Sequence, residues 1–426
     1  MPRHLKFESD TTIGAMHELK NLTPIDTLPD ELLLRIFSIL IGWDAINCGH
    51  WDGKRLWNRD KRICQDWTRH ATVISRVNKS WRRLAINTSS FWSHIDLFFE
   101  HGYWLPLSGA FRRCLARVKD APIELHINCG QMQRFYTTAV VIPSCILRDR
   151  TVTSLIVTAS YPALIQPIVG AYLNEATCSS LTKLQVEFIS PEQSVVCVPA
   201  PEQPNQQQLF ENLLRLNTLR LSGASMNWAS ARFSGLVELQ LCNMQISPSM
   251  DQIYDILAAS PELCTVELDR LHPTSYVLTG SRSKSRIKLP KLSYLHLGGK
   301  VYDFVDRLLQ VIEPGIGQLC LKLSILEASS NELESLRIWN NVSILSLSVP
   351  GLPATLLSQM LSQKGLTTLV LADQCIGDFY LKTPFLTYTS IMLTMDRCVV
   401  VYLGGWVNVS PVVYFRQLYR LLLYWS

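Results

Sequence analysis

Leu236-Val237-Glu238-Leu239-Gln240-Leu241-Cys242-Asn243-Met244-Gln245-Ile246 carries the pattern on which the fold of this chain turns. Leu239 and Leu241 flank one polar residue, the alternation of a β-strand with both leucines facing a core. Leu236 opens the unit three residues earlier, and Met244 and Ile246 extend it. The same apolar-x-x-apolar-x-apolar spacing occurs at Val152/Leu155/Val157, Leu181/Leu184/Val186, Leu216/Leu219/Leu221, Leu263/Val266/Leu268 and Leu292/Leu295/Leu297. It occurs again at Ile316/Leu319/Leu321, Val342/Leu345/Leu347 and Leu366/Leu369/Leu371. The middle positions step by 29, 35, 20, 27, 29, 24, 26 and 24 residues.

A recurring step of about 20–29 residues with an L-x-x-L-x-L core is the signature of leucine-rich repeats. Helix-like stretches lie between the strands, at Met250–Ala259, Tyr302–Ile312 and Pro353–Leu361. Each unit therefore reads as strand, turn, helix and return, and no unit can bury its apolar face without a neighbour. An ordinary α/β domain with a parallel sheet also alternates strands and helices, but without a fixed step. The spacing favours an irregular leucine-rich-repeat-like solenoid over residues 151–378. Residues 190–208, with Pro191, Pro199, Pro201, Pro204 and Gln206–Gln208, read as the loop that lengthens the 35-residue step. Arg220, Gln240, Glu267, His296 and Ser346 sit between paired apolar strand positions and are expected to point outward, where a partner could be bound.

Upstream the texture differs. Residues 1–24 are polar and aperiodic. In Leu28-Pro29-Asp30-Glu31-Leu32-Leu33-Leu34-Arg35-Ile36-Phe37, Pro29 suits the first helical position, and Asp30 and Glu31 favour a helix N-terminus. Leu32, Leu33, Ile36, Phe37 and Leu40 form an apolar stripe at helical spacing, and Gly42 ends the element. A second helix is predicted from about Ala71 to Ile86, with Val73, Val77, Trp81, Leu84 and Ala85 on one face. Residues 42–69 read as an insertion between the two helices.

Composition narrows the function classes. Of 426 residues, 47% are apolar and 18% charged, which fits a packed protein and excludes a disordered one. The net charge of +5 lies wholly in residues 1–120, with 18 Lys and Arg against 13 Asp and Glu. Twelve scattered cysteines without a C-x-x-C pair, and a start without an apolar signal stretch, point to a cytoplasmic or nuclear setting. Cys48, His50, Cys64 and His70 lie near one another, but their spacing matches no zinc module. The insertion mixes Trp43, Trp51, Trp57 and Trp67 with cations; its small net charge is a weak footprint, and no nucleic-acid partner is expected. The uncharged run Cys398–Phe415 is short and broken by Gly404, Gly405 and Pro411, so strand-like packing is expected there rather than a membrane span. Nucleotide loops, zinc-protease and serine-hydrolase motifs are missing from the sequence; no catalytic residues, cofactor or metal are expected, and the chain is not expected to be an enzyme.

Leu28-Pro29-Asp30-Glu31-Leu32-x-x-x-Ile36-Phe37, followed by Val77-x-x-x-Trp81-Arg82-x-Leu84-Ala85, resembles an F-box. Phe91-Trp92-Ser93-His94-Ile95-Asp96-Leu97 and Ala121-Pro122-Ile123-Glu124-Leu125-His126-Ile127 continue the resemblance, to F-box-like proteins of basidiomycete fungi with a leucine-rich-repeat-like body. The resemblance implies an α/β chain in which a small all-helical F-box head precedes the irregular solenoid. The expected divisions are a flexible 1–24, a head at 25–90 with its insertion at 42–69, and a connecting segment at 91–150. The solenoid at 151–378 and an atypical cap or tail at 379–426 follow. The implied function is that of a substrate-receptor adaptor of a cullin-RING (Skp-cullin-F-box) ubiquitin ligase. The F-box would bind a Skp-type adaptor and through it the cullin, and the repeats an unknown protein substrate. Leu28, Pro29, Leu32, Ile36, Phe37, Val77, Trp81 and Leu84 would form the F-box core and the adaptor-facing surface. The alternative is a repeat-based protein-binding scaffold without a link to ubiquitylation.

Overall fold

The computed structural model describes residues 24–41, 63–100, 103–104, 109–129, 151–160, 165, 168–170, 172–173, 180–188, 211, 213–228, 232–272, 286–327, 339–349, 365–372, 390–395 and 398–403. The chain divides into two compact units. The first comprises residues 1–98 and 104–126, the second residues 99–103 and 127–426.

The first unit opens with helix α1 (Asp30–Leu40). Pro29 stands at its N-cap with ψ 148°, extended backbone, one position earlier than the first-turn placement expected from sequence. The predicted helix from Ala71 to Ile86 is two helices, α2 (Ile63–Val77) and α3 (Lys79–Asn87). Asn78 separates them: its backbone is extended, and its side chain accepts the Trp81 N–H at 2.8 Å, capping α3. Since α2 starts at Ile63, part of the expected insertion is helical; residues 42–62 lie outside the described ones. Strand β1 (His94–Glu100), the two-residue β2 (Tyr103–Trp104), helix α4 (Gly109–Val118) and strand β3 (Ile123–Cys129) follow.

Among the described residues, the second unit holds eleven strands of one sheet. In chain order they begin β4 (Val152–Ala159), β5 (Lys183–Phe188), β6 (Thr218–Ser222), β7 (Glu238–Met244) and β8 (Thr265–Leu271). Next come β10 (Tyr294–Val301), β12 (Leu319–Glu327), β13 (Val342–Ser348), β14 (Thr368–Ala372), β15 (Ser390–Met395) and β16 (Cys398–Leu403). Their hydrogen-bonded order is β15-β16-β14-β13-β12-β10-β8-β7-β6-β5-β4. Every neighbouring pair is parallel except β15–β16. Strands β9 (Ile287–Leu289) and β11 (Ile312–Pro314) form a separate parallel pair. Helix α5 (Met250–Ala258) carries a full capping box from Ser249 and Gln252, and α6 (Tyr302–Val311) follows β10 directly.

This architecture corrects the expected fold class in both parts. The helices expected as a separate head at 25–90 do not form a unit of their own, because the compact unit that holds them continues through His94–Phe98 of β1 and Ile123–His126 of β3. The second unit is an α/β arrangement on one large parallel sheet rather than a leucine-rich-repeat-like solenoid. Only α5 and α6 are α-helices with described bounds among its strands. The physical reason is that strand spacing reports which leucines pair. Any crossover long enough to return the chain satisfies parallel pairing, so the spacing does not require a repeated helix. The stretch expected to be helical near Pro353–Leu361 lies outside the described residues.

The strand register closely follows the leucine pattern. Leu155, Leu184, Leu219, Leu239, Val266, Leu295, Leu321, Leu345 and Leu369 lie side by side across nine strands, and each is fully buried. One unit is shifted from its expected register. Leu321, not Leu319, pairs with Leu295 and Leu345, and Ile316, expected to open that unit, is fully exposed. Leu319, Leu321 and Leu323 are all buried on one face, so a displacement of two residues leaves the alternation intact.

At the C-terminal side β16 adds parallel to β14, and β15 returns antiparallel to it. The Cys398–Leu403 part of the uncharged run is thus strand. No helix among the described residues is long and apolar enough to cross a membrane.

Leu295, with β8 and β12 on either side, tests the ladder. Leu295→Ala is expected to lower unfolding free energy by about 2–5 kcal/mol in urea denaturation, since the buried site cannot collapse. A loss below about 0.5 kcal/mol, the level of a surface substitution, would contradict the ladder's burial.

Candidate functional site

The eight residues singled out from sequence divide into two groups on the helices of the first unit. Phe37 is completely buried and Leu84 nearly so. Phe37 meets the Trp81 ring at 4.7 Å between centroids and the Phe91 ring at 6.5 Å, making an aromatic centre between α1, α3 and the turn after α3. Trp81 is half-buried, and its indole Nε1 is buried without a hydrogen-bond partner. Leu28 and Ile36 are partly covered, and Pro29 is exposed. Leu32 and Val77 face outward.

On α1 the two groups form separate stripes. Leu33, Phe37 and Ile41 are buried at four-residue intervals. Leu32, Ile39 and Leu40, with Ile36 partly covered, make the other. Val73 and Val77 repeat this on α2, one turn apart. Leu32, Ile39, Leu40, Val73 and Val77 are each between 51% and 57% exposed. Among the described residues, the other exposed large apolar side chains of the chain are scattered singly or, like Ile25, lie near this helical region. The Asp30–Arg83 ion pair, at 3.4 Å and largely solvated, adds little to stability.

The second unit carries a polar row. Gln185, Arg220, Gln240, Glu267, His296, Lys322 and Ser346 are in lateral register, one from each of seven neighbouring strands. They alternate with the buried leucines, as expected of outward positions, yet Gln185, Arg220, Gln240 and His296 are themselves buried. Neighbouring strands supply partners for Arg220 and His296. Arg220 donates from Nε and an Nη to Glu238 Oε1 at 2.8 and 2.7 Å. His296 reaches Glu267 Oε1 at 2.9 Å and Ser324 Oγ at 3.1 Å. Glu187, one row further along β5, has its carboxyl pushed up to about 7 by burial.

A third constellation was not singled out from sequence. His94 and Asp96 on β1, and Glu124 and His126 on β3, project from one side of their strands. Ile95, Leu97, Ile123, Leu125 and Ile127, on the other side, are almost fully buried. His94 Nδ1 lies 3.3 Å from Glu124 Oε2, and His94 Nε2 lies 3.2 Å from Asp96 Oδ1. His126 Nδ1 lies 3.0 Å from the same Asp96 oxygen. The second Asp96 oxygen is buried with no hydrogen-bond partner. Burial pulls the His94 pKa down, but hydrogen bonds and charges from Asp96 and Glu124 outweigh it and hold the value at about 9. Burial pushes the Asp96 carboxyl up, and the two histidines more than offset that, leaving it below its ordinary value. The sequence signal was His-x-Asp on one strand and Glu-x-His on another, each threaded between buried apolar residues.

No protein-family model, curated protein or solved structure matches the chain. Its functional reading rests on the residues themselves.

Two measurements follow from these positions. Phe37→Ala is expected to cost about 3–5 kcal/mol in chemical denaturation, and Leu32→Ala less than about 0.5 kcal/mol; equal losses would contradict the two-stripe division of α1. Glu187 has a folded-state pKa of about 7 against an ordinary 4.5, so the folded state holds the extra proton in that interval. Stability should therefore fall as pH rises through this window, by roughly 1–3 kcal/mol. Glu187→Gln should remove that slope in denaturation at stepped pH, and an unchanged slope would place its cause elsewhere.

Proposed function

We propose that the chain is a substrate-receptor adaptor of a cullin-RING (Skp-cullin-F-box) ubiquitin ligase. The observation that carries the proposal is the outward apolar stripe of α1, Leu32, Ile36, Ile39 and Leu40, with Val73 and Val77 on α2. Apolar side chains repeated at helical spacing on a solvent-facing side are what a helix-binding partner covers. Leu32, Ile36 and Val77 also belong to the segments that resemble an F-box. The buried stripe, with Phe37, Trp81 and Leu84, holds the helices together and frees the other stripe for the Skp-type adaptor.

In this proposal the second unit captures the protein to be ubiquitylated. The polar row gives it a patterned face: Glu267, Lys322 and Ser346 are partly accessible beside the buried Arg220 and His296. The ion pair and hydrogen bonds that tie the row together hold those side chains in place before a partner arrives, which limits the ordering cost of binding. Bond-making on the substrate belongs to the recruited conjugating enzyme.

The test is co-expression of the full chain with a Skp-type adaptor, followed by size-exclusion chromatography. One-to-one co-elution is expected. A Leu32→Asp, Ile39→Asp double substitution should abolish it while leaving the thermal midpoint of the free chain nearly unchanged, since both positions are exposed. Absence of co-elution with the unsubstituted chain, or co-elution indifferent to the two charges, would reject adaptor recruitment. Trp81→Ala is a poorer probe because it also empties the aromatic centre beside Phe37.

A further inference from the structure

We propose that His94, Asp96 and His126 form a binding site for a divalent transition-metal ion of the zinc class, with Glu124 orienting His94.

Three features of the first unit carry this. The donor set comes first. Two imidazoles and a carboxylate offer ligand atoms that all lie within 4.8 Å of one another. Zinc bound at about 2.0–2.1 Å to nitrogen and oxygen sets tetrahedral neighbours about 3.3 Å apart. The separations from Asp96 Oδ1 to His94 Nε2 and His126 Nδ1 are 3.2 and 3.0 Å, so small adjustments admit an ion among the three. Mixed imidazole and carboxylate donors suit zinc and its transition-metal neighbours, whereas magnesium and calcium take oxygen donors.

The orphaned oxygen is the second feature. Asp96 Oδ2 is buried with no hydrogen-bond partner, although the carboxylate has two histidines beside its other oxygen. A buried acceptor without a donor is costly in a folded protein, and a cation held by both Asp96 oxygens would supply the missing partner.

The third feature is the outer carboxylate. Glu124 contacts His94 through Nδ1, the ring nitrogen opposite the one that faces Asp96. An ion that displaces the Nε2 proton leaves Nδ1–H donated to Glu124 and the Nε2 lone pair directed into the cluster. This carboxylate–histidine arrangement orients a metal-bound imidazole and raises its basicity. The local chain geometry holds all four groups in place. Each pair alternates with residues buried on the opposite face, and Glu124 N–H donates to Ser93 C=O at 2.9 Å, which pins β3 to the start of β1. An ion here would cross-link the two strands, and three protein ligands leave a fourth position for water or the second Asp96 oxygen.

The experiment uses the full chain, stripped with a chelator and titrated with zinc chloride by calorimetry, and with cobalt(II) chloride by absorption spectroscopy. One tight zinc equivalent is expected, together with the d–d bands of tetrahedral cobalt and without strong sulfur-to-cobalt charge transfer. Asp96→Asn and His126→Gln should each abolish that equivalent, and Glu124→Gln should weaken it about 10–100-fold. Circular dichroism establishes which variants fold. X-ray absorption of the zinc-loaded unsubstituted chain gives a reading that needs no variant, with two imidazoles and no sulfur expected in the ligand shell. Failure to bind zinc tightly, persistence of the equivalent in folded Asp96 and His126 variants, or a sulfur-containing shell drawn from the cysteines would each overturn the proposal.

Discussion

The lateral alignment of buried aliphatic residues across the parallel sheet is the constraint on which the second unit depends. A strand with Leu239 and Leu241 on one side cannot shield that side alone. Leu219 and Leu221 beside it, and Val266 and Leu268 on the other flank, complete the cover. Each strand is therefore stable only in the register that sets its leucines beside its neighbours'. A one-residue slip would turn the whole set away from the core. The two-residue displacement at Leu321 is the shift that alternation tolerates, and it occurs where Leu319, Leu321 and Leu323 offer three equivalent apolar positions.

The same register sets the chemistry of the opposite face. Once the leucines are aligned, the residues between them are aligned too, and Gln185, Arg220, Gln240, Glu267 and His296 become neighbours without being close in sequence. Strands set about 4.8 Å apart leave little room for water between long side chains, so these polar groups must satisfy one another. Arg220 with Glu238 and His296 with Glu267 do so; Glu187, with its raised pKa, shows the cost of burying a carboxylate. A row held by the Arg220–Glu238 ion pair and by hydrogen bonds from His296 is a more rigid surface than a set of independent side chains.

In the first unit the corresponding constraint is aromatic. Phe37 and Trp81 are far apart in the chain, and their contact holds α1 against α3. Phe91 adds a third ring, and Trp92 donates its indole N–H to Ala85 C=O at 2.8 Å, tying the turn after α3 to that helix. The Asn78 cap lets the chain change direction before Trp81. Val77 thus remains at the end of α2, facing solvent, while Leu84 and Ala85 enter the core. Burying one stripe leaves the other exposed, and the proposed adaptor surface is a direct consequence of how this small core is filled.

The sequence alone placed most strands of the second unit and their buried leucines, because two-residue alternation is a local property of extended backbone; it missed the register at Leu321 and the burial of Arg220, Gln240 and His296. It also marked α1, by its apolar stripe and acidic first turn, and the helix-like stretches that form α5 and α6. It could not separate core from surface among Leu32, Leu33, Ile36 and Phe37, since an apolar stripe wider than its partner reads the same wherever the partner sits. Nor could it specify the fold class: strand spacing is compatible with either a repeated helical return or a mostly parallel sheet with few helices, and the connections, not the strands, decide between them. The His94, Asp96, Glu124 and His126 cluster went unread for a related reason. Each strand holds only an unremarkable pair of polar residues, and the four become a site when β1 and β3 bring Asp96 within 3.0 Å of His126, 30 residues away. Local backbone periodicity is written in sequence, whereas partnerships between distant side chains exist only after the chain has packed.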